Sequence, residues 1–181
     1  MSDILIRQER PHDRDSVYRL VLEAFSQAEH TNYQEQEIVV RLRGSDAFVP
    51  ELSLVAEVEG ALVGHILFTR AVIRDEATDH ATLVLAPLAV APRLQRRGIG
   101  ARLVEAGHCA ARNLGFQSSV LVGHPAYYPR FGYRPAESFG VVTHLDLPSG
   151  VFMACELRLG GLAEVRGMLI YPPEFDLHPA K

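Results

Sequence analysis

The chain has 181 residues, 48% of them hydrophobic and 22% charged, which is enough apolar material for one compact core, so a single domain over residues 1–181 is expected. The formal net charge of −4 gives no overall pull toward nucleic acid or anionic lipid, so any anion site must be built locally. Two cysteines, Cys109 and Cys155, fit buried thiols in a reducing compartment, and Lys181, the only lysine, leaves no room for Schiff-base chemistry or a lysine-dependent phosphate loop.

In chain order, "DILIRQE" reads as a short strand, and the spacing of Val17, Leu20, Val21, Ala24 and Phe25 predicts a helix over residues 13–28. The polar "SQAEHTNYQ" separates it from a shorter helix that starts at Asn32 or Tyr33 and ends at Arg43. "LSLVAEV" and "ALVGHILFTRAVI" flank Glu59-Gly60, a two-residue hairpin signal. "RDEATDHA" then reverses the chain into the strand "TLVLAPLAV". A glycine-spaced turn leads into a helix reaching about Asn113, Gly115 stops it, and "FQSSVLVG" follows as a strand, a βαβ-like unit. The last third offers two more strands, "VFMACELRL" and "EVRGMLIYPP". No apolar run approaches the roughly 20 residues of a membrane span, and a cytoplasmic protein is expected.

The helix after Gly98 places Ile99, Leu103, Val104, Ala110, Ala111 and Leu114 on an apolar side and leaves Arg102, Glu105, His108 and Arg112 for solvent. Its first turn carries N–H groups without intrahelical acceptors, a dipole that is positive there, and glycines that let an anion touch the main chain. Arg93, Arg96 and Arg97 crowd the same turn, and residues 82–104 contain no acid. Each charge at such a helix end gains about 0.3 to 1 kcal/mol when exposed. A phosphate suits it, although a tight turn decorated with surface arginines is the plainer alternative. A Walker loop is excluded for want of its lysine. The dinucleotide fingerprint fails because Leu103 stands where its third glycine belongs.

Pro87 cannot donate to a sheet ladder, so the sheet is expected to open there. Leu88, Ala89 and Val90 would then offer backbone N–H and C=O groups to an extended amide-containing ligand such as pantetheine. A strand that pairs with pantetheine, followed at once by a diphosphate cradle, has the polarity of coenzyme A.

"QRRGIGA" (residues 95–101) resembles the Gln/Arg-x-x-Gly-x-Gly/Ala signature of the GNAT superfamily of acetyl-CoA-dependent N-acetyltransferases. "AYYPRFGYRP" (residues 126–135) resembles that family's later aromatic motif. "GHILFT", "APLAVAP" and "YPPEF" look like bacterial acetyltransferases of the YhbS type.

The resemblance implies an α/β (α+β) GNAT fold: a mixed, mostly antiparallel central sheet splayed in the middle, with helices on both faces. It implies an acyltransferase that uses acetyl-CoA, without a metal, to acetylate an amine of a small molecule or peptide by direct attack. A catalytically silent CoA-binding module is the alternative. The acidic total and the lack of an extended basic stripe argue against a nucleic-acid partner, no membrane partner is expected, and the resemblance allows a homodimer. The cofactor-binding residues would be Leu88, Ala89, Val90, Gln95, Arg96, Arg97, Gly98, Ile99, Gly100, Ala101 and Arg130.

Amide formation from a thioester needs a neutral amine, an oxyanion donor and a proton for the departing thiolate. By the resemblance, Tyr128 supplies that proton, Tyr127 packs, and a backbone N–H near Leu88 or Ala89 serves the oxyanion. The general base stays open among Glu29, His30, His65, His124 and water. Some family members carry a histidine or acid on the strand before "PLAV". Here that stretch is the wholly apolar "LVLA", which favours a water relay.

Overall fold

The computed structural model describes residues 3–26, 34–76 and 78–177. Among the described residues nine strands occur: β1 (Ile4–Gln8), β2 (Phe48–Val58), β3 (Ala61–Arg74), β4 (Asp79–Val90), β5 (Ser118–Val122), β6 (Arg134–Pro135), β7 (Val141–Val142), β8 (Phe152–Glu156) and β9 (Gly167–Ile170). Three α-helices accompany them: α1 (Arg14–Phe25), α2 (Glu35–Arg43) and α3 (Ile99–Asn113). Hydrogen-bonded neighbours follow the order β1-β2-β3-β4-β5-β8-β6, with β9 on β3 and β7 on β9. The expected mixed, mostly antiparallel sheet is present, with β4 beside β5 and β7 beside β9 as parallel pairs. The chain forms two compact units, Met1–Phe68 with Ala86–Ala110 and Thr69–Leu85 with Ala111–Lys181, so β3, β4 and α3 each run from one into the other.

In the first unit β1 lies antiparallel to β2, Ile4 opposite Val58 and Gln8 opposite Leu54. Glu59 and Gly60 join β2 to β3 with φ of 51° and 77°, the double left-handed conformation of a type I′ turn. Helix α3 approaches β3 through two glycines. A Cβ at Gly64 would lie 2.9 Å from Leu103 Cδ1, and one at Gly107 would lie 2.3 Å from Phe68 Cε2. Each element thus offers a gap that a side chain of the other fills, which is how Phe68 and Leu103 lose all exposure.

Four expectations change here. Helix α1 ends at Phe25 and the described part of α2 begins at Glu35; the expected extensions over residues 27–33 lie outside the described residues. His108 is buried against Phe68, ring centroids 6.0 Å apart, because helical spacing puts it on the stripe with Val104 and Ala111. Leu114, beyond the last helical residue, is exposed. Cys109 is also exposed, and only Cys155 is a buried thiol.

In the second unit α3 closes with a Schellman cap: Gly115 has φ of 91°, Phe116 N–H donates to the Ala111 carbonyl at 3.1 Å, and Gly115 N–H donates to the Arg112 carbonyl at 3.1 Å. The parallel ladder sets Leu83 opposite Ser119 and Val84 opposite Val120, after which β4 continues through Pro87 to Val90. Strand β8 covers the other side of β5, with Val120 opposite Ala154. The Tyr133 hydroxyl donates to Ser119 at 3.0 Å, and Thr82 and Ser118 share a hydrogen bond of 2.8 Å. These four buried hydroxyls are thereby satisfied in pairs. No helix among the described residues is long and apolar enough to cross a membrane.

Candidate active site

In the first unit, the end of β4 and the start of α3 bring residues 88–101 together. Leu88 and Val90 are half-buried and Ala89 is buried, and Ala91 N–H donates to the Val63 carbonyl of β3 at 2.9 Å. After a 3₁₀ turn at Pro92–Leu94, Arg96 and Gly98 take φ of 59° and 83°. The first helical bond of α3 runs from Arg102 N–H to the Gly98 carbonyl at 3.1 Å, so the amides of Ile99, Gly100 and Ala101 precede the ladder. A Cβ at Gly98 would meet nothing within 4 Å, so the turn is open above the main chain. Here glycine is required by the positive φ and not by crowding.

Side chains around this turn divide into core anchors and surface cations. Ile99 is buried and its Cγ2 would come within 3.0 Å of a Cβ at Gly64, so its side chain is a core anchor. Arg93, Arg96 and Arg97 are exposed. Gln95 Nε2 donates to the Val90 carbonyl at 3.2 Å, which ties the start of the turn to the end of β4.

In the second unit, Tyr128 opens a 3₁₀ turn at Tyr128–Phe131, held where His124 O accepts from Tyr127 N–H at 3.0 Å and Tyr128 N–H at 3.4 Å. Gly132, with φ of 89°, ends the turn. Tyr128 meets Tyr127 edge-on at 5.0 Å and Tyr133 at 5.7 Å between ring centroids. Burial, aided by the neighbouring Tyr127, pushes the Tyr128 phenol above its ordinary range, so it stays a proton donor at any physiological pH. Arg130 lies over the Tyr127 ring, 4.9 Å from its centroid, which fixes the aromatic cluster from outside.

The base candidates separate sharply. Glu29 and His30 lie outside the described residues. His124 is exposed. His65 has no exposed surface, and a group sealed from water cannot take a proton from a bound amine. It belongs instead to a polar cluster that sequence reasoning missed. Glu9 receives hydrogen bonds from Arg43 and from the Ser53 hydroxyl, and His65 Nε2 lies 3.1 Å from Ser53 Oγ. Since Ser53 spends its hydrogen on Glu9, His65 must donate from Nε2. Burial lowers the His65 pKa, against the pull of Glu9. Burial also works to raise the Glu9 pKa, but His65, Ser53 and Arg43 together bring it below its usual value. The hydrogen-bonded pairs are 12 to 44 positions apart, so no local signal marks them. No group of three or more potential metal ligands occurs among the described residues.

A GNAT acetyltransferase domain family matches residues 50–135, a stretch that holds residues 88–101 as well as Tyr128 and Arg130. The chain is 43% identical over 102 residues to the uncharacterized N-acetyltransferase YjhQ of Escherichia coli (strain K12), a match spanning only 56% of either protein. It is 29% identical over 174 residues to the uncharacterized N-acetyltransferase YhbS of the same organism, covering 96% of this chain and 99% of that one. The crystal structure of Escherichia coli YhbS in complex with CoA superposes with a TM-score of 0.85 at 25% identity, covering 98% and 94% of the two chains. A GNAT family acetyltransferase from Brucella melitensis in complex with acetyl-CoA gives 0.78 at 29% identity, over 97% and 100%. Motifs, strand order and these likenesses agree: residues 50–135 match the GNAT acetyltransferase domain family, and the chain is similar to GNAT acetyltransferases over nearly its whole length.

Proposed function

We propose that the 181 residues work as one cytoplasmic domain that transfers an acetyl group from acetyl-CoA to an amine of a small molecule or peptide by direct attack. The observation that carries this is the open turn at Gly98, where the amides of Ile99, Gly100 and Ala101 precede the α3 ladder beneath unfilled space. Such a helix start suits a diphosphate. The CoA and acetyl-CoA held by the two similar structures support the same ligand here.

Acetyl-CoA would supply the activated acyl group. Residues 98–101 would hold its diphosphate through main-chain N–H groups, with Arg96 and Arg97 adding positive charge. Leu88 and Ala89 would pair with pantetheine amides and give an N–H to the carbonyl oxygen as it gains charge. Tyr128 would keep a proton at its Oη for the departing sulfur. The stretch "LVLA" on β4 is apolar and His65 is sealed, which supports a water relay for deprotonating the amine.

The test is titration calorimetry with acetyl-CoA, followed by thiol release across a polyamine, an aminoglycoside, an amino acid and a peptide with a free N-terminus. Binding with amine-dependent thiol release is the expected result. Absence of binding refutes the reading, and binding without release from any amine leaves a CoA-binding module.

A further inference from the structure

Gly123, just past the end of β5, has no positive φ that would call for glycine. Its reason is contact. A Cβ there would lie 2.4 Å from Tyr128 Cε2 and 2.9 Å from Tyr128 Cδ2, closer than real side chains come, and 3.2 Å from Leu121 Cδ1. The backbone cannot retreat, because Gly123 N–H donates to the Val151 carbonyl at 2.9 Å. Nor can the tyrosine readily step aside. Its own turn is pinned to the His124 carbonyl, Tyr127 stands edge-on at 5.0 Å, and Tyr133 closes another side at 5.7 Å. Tyr133 is fully buried and tethered through its hydroxyl to Ser119.

We infer that Gly123 is a positioning residue: the missing side chain sets how deep the Tyr128 ring sits, and therefore where its hydroxyl is presented for proton transfer. The inference rests on the donor role given to Tyr128 above. A misplaced donor costs rate more than it costs substrate binding, because proton transfer depends on hydrogen-bond distance in the transition state.

The experiment compares Gly123→Ala, Tyr128→Phe and the pair, using acetyl-CoA with the fastest amine of the panel. Gly123→Ala should lower kcat by about tenfold or more, with the KM for acetyl-CoA moving less than about threefold. In the Tyr128→Phe background the same change should cost less than about twofold further, since the hydroxyl it positions is gone. Wild-type kcat in Gly123→Ala, or losses that multiply in the pair, overturns the inference. A second readout does not depend on catalysis: with 3-fluorotyrosine in the full chain, Gly123→Ala should move the fluorine resonance assigned to Tyr128 and leave those of Tyr18 and Tyr171 in place. If Tyr128→Phe turns over like the wild type, the donor role fails, while a moved resonance still upholds the seating of the ring and an unmoved one refutes it. Should Gly123→Ala fail to fold, adding Tyr128→Ala should restore folding by removing the clash; a pair that also fails to fold overturns the inference.

Discussion

His65 Nε2 lies 3.1 Å from the Ser53 hydroxyl, and Ser53 in turn donates to Glu9, so a fully buried imidazole is held by a chain of hydrogen bonds and not by solvent. Burial lowers the folded pKa of His65 below 6.5. The unfolded chain therefore takes up a proton near pH 6.5 that the fold refuses. Stability is full above that pH and declines below it, with a limiting slope of about 1.4 kcal/mol per pH unit for one proton. Glu9, lowered from 4.5, adds stability above that value and loses it as pH falls through its folded pKa. Urea midpoints should hold at neutral pH and drop from about pH 6.5 to 5, and His65→Gln should flatten that window. A wild-type midpoint constant across it contradicts the arrangement.

Arg7 forks onto Asp13 at 2.7 and 3.0 Å and also reaches Glu57, which holds the Asp13 carboxyl down to about 2. The folded pKa lies below the ordinary value of 3.8, so the contribution is present above about pH 4 and vanishes as pH falls toward 2. Asp13→Asn should cost about 1 to 3 kcal/mol at neutral pH by denaturant unfolding and should abolish this acid slope. Unchanged stability at neutral pH would mean that the guanidinium gains nothing from Asp13.

Tyr128→Phe keeps the ring and its packing and removes only the hydroxyl. Thiol release should fall by about a hundredfold, within the usual span for a general acid, with acetyl-CoA affinity altered less than about threefold. Because the phenol is raised above its ordinary range, the wild-type rate should also persist from about pH 9 to 10, where a free tyrosine begins to ionise. A decline there that is absent from Tyr128→Phe would show the phenol titrating normally.

Gly98→Val forces a β-branched residue to φ of 83° at the start of α3. The dissociation constant for acetyl-CoA should rise at least about tenfold, or about 1.4 kcal/mol, by calorimetry. Gly60→Val is the control: φ of 77° in the β2–β3 turn gives comparable backbone strain without touching residues 98–101. Equal loss of affinity in both would assign the effect to folding and not to the turn at Gly98.

Several elements were legible because their causes are local. Glu59-Gly60 can only be a primed turn between two β-rich runs, and Gly115 ends α3 where an αL residue is required. The left-handed turn at Gly98 that opens α3 was legible for the same reason, since glycine spacing marks a tight turn at a helix start. The course of β6 and β7, two residues each, was not legible, since such short strands exist only through their pairing with β8 and β9.

His65 and His108 illustrate the opposite case. The sequence leaves His65 open as a base and assigns His108 to solvent, yet both are buried, one within β3 and the other against Phe68. Glu9, Arg43 and Ser53 meet around His65 only after α2, β2 and the end of β1 are assembled. By itself, then, the amino-acid order determined the strand and helix succession, the positive helix start and the aromatic turn, because each depends on neighbours within a few residues. Which polar groups are sealed, and how Val151 and the Ser119-tethered Tyr133 hold Gly123 and Tyr128 in place, was decided by tertiary packing, because these contacts belong to segments that meet only in the folded chain.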